Sequence, residues 1–162
     1  MMVDLSTSFA GLTLQSPLIL GSSGLTRNVD RTCALVEAGV GAVILKSLFE
    51  EQILMQTGHL VAKNDYPEAN DYITSYVRSE ALESYLQLVR DMKAALDVPV
   101  IASINCATAG AWVEFADKIR EAGADALEVN IMRLETELFF DPVATEELYV
   151  SIVSSLVGRG LP

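Results

Sequence analysis

Two stretches of this chain share one pattern, and that pattern constrains the fold more than any other feature. Each begins with Glu-Ala-Gly and continues through a short turn into an apolar run, at residues 37–46 and at residues 121–130. Glycine directly after a helix fits a left-handed C-cap, because a β-carbon disfavours that backbone conformation. Each apolar run ends on a polar residue, Lys46 in the first and Asn130 in the second. A repeated helix–strand unit predicts a parallel α/β fold with a site at the strand ends.

The composition describes an acidic globular chain and argues against several classes of function. The 162 residues carry a net charge of −11, and 51% of them are hydrophobic, which is enough for the core of one domain. A nucleic-acid binder would instead need a basic face. The two cysteines and one histidine show no metal-ligand spacing, so we expect neither a metal site nor a disulfide framework. No apolar stretch reaches the about 18 residues of a membrane span, and we expect a cytoplasmic protein.

The predicted elements are a β-hairpin and then strands that alternate with helices. The hairpin occupies residues 1–16 and turns at Ala10-Gly11, and the βα units occupy residues 17–162 of a single partial-barrel domain. Such alternation predicts parallel strands with right-handed crossovers. Residues 49–79 are expected to form a long irregular loop, of a kind that is often functional. The other predictions are strands at 17–20, 42–48, 100–105 and 126–130, and helices from Asn28, over 80–96, over 108–120 and over 142–156.

Polar side chains are expected to converge at the carboxyl ends of these strands. Side chains alternate between the two faces of a strand, so Ser103 shares a face with Asn105, and Glu128 shares one with Asn130. Lys46 ends its own strand in the same way. Helices packed outside take the apolar face, which leaves these polar groups inside a barrel-like sheet. Amide, hydroxyl and ammonium groups suit a heterocycle and an anion, whereas a hard metal would require more carboxylates.

Four segments resemble the dihydroorotate dehydrogenase family, whose members are flavin-dependent (β/α)8 barrels. They are residues 9–17 leading to Ser22-Ser23-Gly24, then Lys46-Ser47, then residues 99–104, and finally residues 122–130, in the order of the family. The resemblance implies the N-terminal half of a TIM barrel, and an oxidoreductase of pyrimidine biosynthesis. In such an enzyme a hydride passes between a small-molecule substrate and FMN bound at the strand ends.

The resemblance also implies roles for individual residues. Lys46 would be catalytic, as a charge that stabilises the reduced flavin or the substrate, and it would contact both of them. Asn130 would bind the substrate and the flavin. The remaining flavin contacts would come from the first loop, from the residue after the lysine and from the third strand: Ser22, Ser23, Gly24, Ser47 and Asn105.

Two positions depart from the orotate-forming members of the family. Those members carry a Ser or Cys base three residues after the asparagine, where this chain has Arg133, and Glu135 replaces a following asparagine. An arginine stays protonated and cannot accept a proton. The resemblance is therefore to the divergent, dihydroorotate dehydrogenase-like branch. Glu135 and His59 are the candidate bases, although His59 is expected to lie at the surface.

The number of βα units leaves the assembly open. The chain supplies about four units, whereas a closed barrel needs eight in typically ~250 residues. The later lysine and the glycine-rich phosphate loops of the family are not found in it. We expect a fragment, or a half-barrel that forms a homo-oligomer or pairs with a complementary half, and weak or absent FMN binding by the chain alone. Two alternatives stay open: a non-catalytic half-barrel, and an enzyme that uses Lys46 as a Schiff-base amine.

Overall fold

A β-hairpin precedes a series of βα units in the computed structural model, which describes residues 3–61, 70–132 and 141–162. The hairpin pairs β1 (Thr7–Phe9) with β2 (Leu12–Leu14), and both turn residues have positive φ angles, of 47° at Ala10 and 76° at Gly11. The later elements are β3 (Ile19–Leu20), a short 3-10 helix (Gly24–Arg27), α1 (Val29–Glu37), β4 (Ala42–Ile44), β5 (Leu48–Phe49), α2 (Glu50–Val61), α3 (Asn70–Ala95), β6 (Val100–Asn105), α4 (Ala109–Glu121), β7 (Ala126–Val129) and α5 (Pro142–Leu156).

The central sheet is entirely parallel, as the alternation of strands and helices predicts. Strand β3 pairs with β4, β4 with β6, and β6 with β7, while β5 pairs with β6 further along the same edge as β4. The strands therefore lie side by side in chain order, as they do in a (β/α)8 barrel. This confirms the prediction of a partial TIM barrel with a leading hairpin. The division into residues 1–16 and 17–162 stays a prediction.

The two faces of the sheet are buried by different parts of the chain. The outer face packs on the helices, where Val43 and Val100 contact a core that includes Met92 and Phe115, all of them fully buried. On the inner face, Leu14 of the hairpin packs against Ala42, Ile101 and Ala126. The hairpin thus covers the apolar part of the inner face, and the polar residues further along the strands are left for another role.

Local signals mark both ends of α1, the end of α4 and the start of α5, as predicted. Asn28 caps α1 by accepting a hydrogen bond from the Arg31 N–H at 2.9 Å, and Asp141 caps α5. The glycines of the repeated Glu-Ala-Gly motif follow α1 and α4 with φ of 107° at Gly39 and 97° at Gly123. None of the helices in the described ranges is both long enough and apolar enough to span a bilayer.

The prediction of a long loop over residues 49–79 is wrong. Helix α2 occupies Glu50–Val61, and α3 begins at Asn70, well before the predicted start at residue 80. Two acidic residues in the first turn of α2 favour a helix through its dipole, and Tyr72 stacks on Tyr76 one turn later in α3, with ring centroids 6.2 Å apart. Several apolar residues of this region are exposed, so no clear stripe marks the helices in the sequence. Residues 62–69 lie outside the described residues.

Candidate active site at the strand ends

Four polar side chains form a continuous hydrogen-bonded chain across the carboxyl ends of the sheet. Ser22 Oγ, in the loop after β3, lies 3.0 Å from Ser47 Oγ, and Ser47 Oγ lies 2.8 Å from Ser103 Oγ. Ser103 Oγ donates to Glu128 Oε1 at 2.6 Å, and the backbone N–H of Ser47 donates to Ser22 Oγ at 3.0 Å. Ser103 and Glu128 are opposite each other in the register of β6 and β7, on the same face of the sheet. We refer to these four residues as the serine–glutamate chain.

An interruption of the second barrel strand brings Ser47 into this chain. The sequence predicts one strand over residues 42–48, but the strand breaks after Ile44 and resumes at Leu48. Ile44 pairs with Ile101 and Leu48 pairs with Ile104, so three intervening residues on one side oppose two on the other. Such a bulge with one extra residue changes which side chains face the neighbouring strand. Ser47 is consequently the residue that contacts Ser103.

The Tyr85 hydroxyl occupies the place where the pairing of β4 with β6 stops. It accepts a hydrogen bond from the Ser103 N–H at 2.8 Å and donates one to the Ser103 carbonyl at 3.0 Å. In a regular parallel ladder the neighbouring strand would satisfy both groups. Burial raises the pKa of Tyr85, so the hydroxyl keeps the proton that it donates. For the Ser103 N–H, Tyr85 therefore takes the place of the missing strand partner beside the bulge.

Tyr85 was not among the residues singled out from the sequence. It lies within the predicted stripe of α3, between Leu82 and Leu86, where the 3.6-residue period indicates only core packing. The available signal was chemical, because a buried tyrosine hydroxyl almost always requires a polar partner. The outer face of a sheet offers such a partner only where its backbone pairing is broken.

Lys46 lines an open cleft of about 560 Å³, together with Arg27 and Phe49 and with residues of α2 and α3 that include Gln52, Ser84 and Tyr85. Its ammonium nitrogen lies 5.0 Å from the centroid of the Phe49 ring, within range of a cation–π interaction. Among the described residues, no carboxylate lies within ion-pair distance of it. The two other described lysines do have such partners: Lys93 pairs with Asp125, and Lys118 pairs with Glu114. The Lys46 charge is thus available to a ligand.

The two asparagines at the ends of β6 and β7 have unequal roles. Asn105 is buried, and its Nδ2 donates to the Asn130 carbonyl at 2.8 Å. The Asn130 backbone N–H donates to the Ile104 carbonyl at 2.9 Å, which continues the sheet by one residue. Within the part of the chain that the structure describes, the Asn130 side-chain amide has no hydrogen-bond partner. Asn105 therefore fixes the backbone of Asn130, and Asn130 keeps its own amide for a ligand.

The loop after β3 presents mainly backbone groups, and few free side chains, to a ligand. Ser23 is the N-cap of the short 3-10 helix: its Oγ accepts from the Leu25 N–H at 3.3 Å, and its own N–H donates to Thr26 Oγ1 at 3.4 Å. Gly21 and Gly24 have open space where a β-carbon would stand. A ligand can therefore approach the backbone closely at both glycines. Of the two serines, only Ser22 joins the serine–glutamate chain.

Glu50 is a buried carboxylate that sequence reasoning did not identify. It accepts hydrogen bonds from the backbone N–H groups of Ala107 at 2.7 Å and Thr108 at 3.0 Å, just before α4. Thr108 is the N-cap residue, as predicted, but its hydroxyl bonds to Glu50 instead of to its own helix. Burial, followed by the charge of Glu50, raises the pKa of the nearby Cys106 thiol to about 12. Cys106 is thus held as a thiol and is unsuited to act as a nucleophile near neutral pH.

The candidate bases are not part of the described site. His59 is exposed in the last turn of α2, which confirms its expected place at the surface. Arg133 and Glu135 lie in residues 133–140, outside the described residues.

Comparison with known proteins agrees with this geometry, although no protein-family model matches the chain. The chain is 31% identical over 137 residues to the dihydroorotate dehydrogenase B (NAD(+)) catalytic subunit of Thermoplasma acidophilum, which covers 80% of this chain and 42% of that protein. It is 27% identical over 156 residues to the same subunit of Methanosarcina mazei, and this match covers 93% of this chain and 47% of that protein. It is 29% identical over 131 residues to the NAD-dependent dihydropyrimidine dehydrogenase subunit PreA of Escherichia coli K12, and this match covers 78% of this chain and 32% of that protein. The chain spans about half the length, or less, of these relatives.

Proposed function

Because the chain is a divergent, dihydroorotate dehydrogenase-like protein, we propose that its strand ends form part of a flavin-dependent oxidoreductase site that acts on a small-molecule substrate. The observation that carries the proposal is the serine–glutamate chain, which includes Ser47, the residue next to Lys46. Lys46 has no carboxylate within ion-pair distance among the described residues. The parts meet at the carboxyl ends of parallel strands, where barrel enzymes place their active sites.

The residues present fit the ring system of FMN. Open backbone at Gly21 and Gly24 permits a flat ligand to lie against the first loop. Ser22 can accept a hydrogen bond from a ring N–H group, and the Asn130 amide can bond to ring carbonyls and N–H groups. FMN, when bound, would supply the acceptance or donation of a hydride. Ser23 and Ser47 would contribute mainly by shaping the loop and the bulge, because their hydroxyls already have partners.

Each remaining residue has a role that follows from its contacts. The Lys46 ammonium would stabilise negative charge that develops on the substrate or the ring, which is an electrostatic contribution to catalysis. Asn130 would orient the substrate through its side-chain amide, and Asn105 would hold Asn130 in place. Arg133, at the position of the base in orotate-forming members, cannot accept a proton.

A complementary half of the barrel is the partner that this arrangement needs. The chain covers 42% of its Thermoplasma acidophilum relative. The Leu127 N–H at the free edge of β7 already donates to the Pro162 carbonyl at 3.1 Å, as it would to a next strand. The half-barrel would associate with a second copy or with another polypeptide, because exposed sheet edges favour pairing. A cytoplasmic location and a place in pyrimidine metabolism belong to the same proposal.

The test is an FMN titration of the chain mixed with the part of the Thermoplasma acidophilum relative that lies outside the match. We expect a flavin-protein complex whose affinity for FMN falls about tenfold or more in Lys46→Ala, since the loss of one charge-assisted contact costs about 1.5–3 kcal/mol. Lys118→Ala, which removes a lysine from the exposed side of α4, should leave the affinity unchanged. Equal affinities for the two variants would contradict the proposal.

A non-catalytic half-barrel is the second candidate, and Arg133 at the base position favours it. It predicts that the same complex forms without any FMN-dependent oxidation of substrate. Borohydride trapping with a carbonyl substrate distinguishes the Schiff-base alternative for Lys46 from the other two candidates. A Schiff base would leave the substrate covalently attached to the wild-type chain but not to the Lys46→Ala variant.

A further inference from the structure

The serine–glutamate chain permits only one direction of hydrogen-bond donation. A serine hydroxyl has one proton to donate and can accept two hydrogen bonds. Ser103 uses its proton on Glu128 Oε1 at 2.6 Å, so Ser47 must be the donor in the 2.8 Å contact between Ser47 and Ser103. The proton of Ser47 is then used, which makes Ser22 the donor in the 3.0 Å contact between Ser22 and Ser47.

This direction leaves Ser22 able to accept a hydrogen bond from a ligand but unable to donate one. The Ser22 proton points to Ser47, and one of its lone pairs accepts the Ser47 N–H at 3.0 Å. No other donor among the described residues reaches its remaining lone pair. Ser22 is half-buried and follows Gly21, beside which there is open space. The free acceptor therefore lies where a ligand can approach.

We infer that Glu128, acting through Ser103 and Ser47, fixes Ser22 as a hydrogen-bond acceptor and so selects ligands that present an N–H group there. Glu128 is a positioning residue, because the serines separate it from the ligand. A carboxylate has acceptors only, and it thus sets the direction of the whole chain from its far end. The chemical class favoured is a cyclic amide or imide. The inference rests on the proposed function in one respect, namely that the strand-end face binds a ligand.

The direction of the chain can be measured without any ligand, from the NMR resonance of the Ser47 amide proton, which is bonded to Ser22. In Glu128→Gln the side-chain amide can also donate, which removes the fixed direction, and we expect the Ser47 resonance to shift. Ser103→Ala breaks the chain and should shift it as well. In the Ser103→Ala background, Glu128→Gln should then add no further shift, which a merely structural role of Glu128 would not produce.

Glu83→Gln is the matched control, because it changes an exposed carboxylate of α3 that pairs only with Arg90 among the described residues. It should leave the Ser47 resonance in place. The inference is overturned if Glu128→Gln leaves that resonance unmoved, or if its shift persists unchanged when Ser103 is alanine. Circular dichroism of each variant establishes that the fold is retained. If Glu128→Gln does not fold, the shift of the Ser47 resonance expected in Ser103→Ala is the test instead.

The selection of an N–H group is tested by titrating succinimide and N-methylsuccinimide into the labelled chain. These probes differ at the N–H alone, so we expect succinimide to shift the Ser22 and Ser47 amide resonances and N-methylsuccinimide to leave them. In Glu128→Gln the difference between the probes should shrink. Equal shifts with both probes, or no shift with either, would overturn the selection. Failure of FMN binding would leave the ligand-free result intact, so the two failures are distinguishable.

Discussion

Tyr85 shows how a single hydroxyl can stabilise an irregular sheet. It bonds to both the N–H and the carbonyl of Ser103, at the level of the bulge between β4 and β5. Without it, the buried N–H of Ser103 would lose its partner, and such a loss costs about 1–3 kcal/mol. The bulge and the position of Ser47 therefore depend on a residue on the opposite face of the sheet.

Tyr85→Phe should lower the free energy of unfolding by about 1–3 kcal/mol, because the ring still packs while the buried Ser103 N–H becomes unsatisfied. Urea unfolding followed by circular dichroism measures this change. Tyr76→Phe removes the hydroxyl of an exposed tyrosine on the same helix and should have almost no effect. Equal stability of the wild-type chain and the Tyr85→Phe variant would contradict the role assigned to this hydroxyl.

The Cys106 thiol gives a prediction with a defined pH dependence. Its pKa is raised from an ordinary value of 9.0 to about 12, first by burial and then by the charge of Glu50. Because the folded-state pKa is the higher one, this contribution to stability is complete below pH 9 and is lost as the pH rises towards 12. In a Cys33→Ala variant, alkylation of Cys106 by iodoacetamide at pH 8 should be much slower than in the urea-unfolded chain. Equal rates in the two states, measured by mass spectrometry, would show that the thiol is not shielded.

At the scale of elements, a carboxylate from one helix supports the start of another. Glu50 in the first turn of α2 accepts the N–H groups of Ala107 and Thr108, which precede and begin α4. An N-terminal carboxylate also interacts favourably with the helix dipole. This contact connects two consecutive βα units through residues that are 57 and 58 positions apart in the sequence.

Glu50→Gln should destabilise the fold by about 1–3 kcal/mol, because it removes a carboxylate that accepts several hydrogen bonds. The glutamine can also turn its NH₂ group towards the two backbone N–H donors. Urea unfolding measures the change. Glu121→Gln, at the exposed end of α4, is the control and should differ from the wild-type chain by less than about 0.5 kcal/mol. A Glu50→Gln variant as stable as this control would contradict the capping role.

The hairpin and β4 meet so closely that only glycine fits at one position. A β-carbon at Gly41 would collide with the backbone of Ser16, whose nitrogen would lie 2.9 Å away. Gly41→Ala should therefore destabilise the fold by about 1–3 kcal/mol or more. Gly58→Ala, where nothing lies within 4 Å in α2, should instead stabilise it by roughly 0.5–1 kcal/mol. Thermal unfolding of the two variants should give opposite shifts, and shifts of the same sign would contradict the close contact.

The sequence predicts the regular elements better than the irregular ones. The Glu-Ala-Gly repeats locate the ends of α1 and α4, and the alternation of side chains indicates that Ser103 and Asn105 share a face, because these features depend on local backbone geometry. The break between β4 and β5 depends on Tyr85, which is remote in sequence, so no local pattern indicates it. Helix α2 was missed for a related reason. Leu54 and Met55 are exposed, and a helix without a clear buried stripe gives no periodic signal.

At the scale of the whole molecule, the described strands form one side of a barrel. The sheet runs from β3 to β7 in chain order, and its polar residues lie along one end. The chain covers about half of its relatives or less, so the proposed flavin site would receive its other contacts from a complementary half. The exposed apolar residues of α5, including Val150 and Val153, are consistent with such an association.

The most direct test is the visible absorption spectrum of the purified chain with FMN, measured with its mass in solution, both alone and with the complementary half. We predict that the monomeric chain holds little or no flavin, and that the complex holds one flavin per assembled barrel. A stoichiometric flavin on the monomer would show that the chain is not half of a site. A complex that forms but ignores FMN would contradict the flavin site itself.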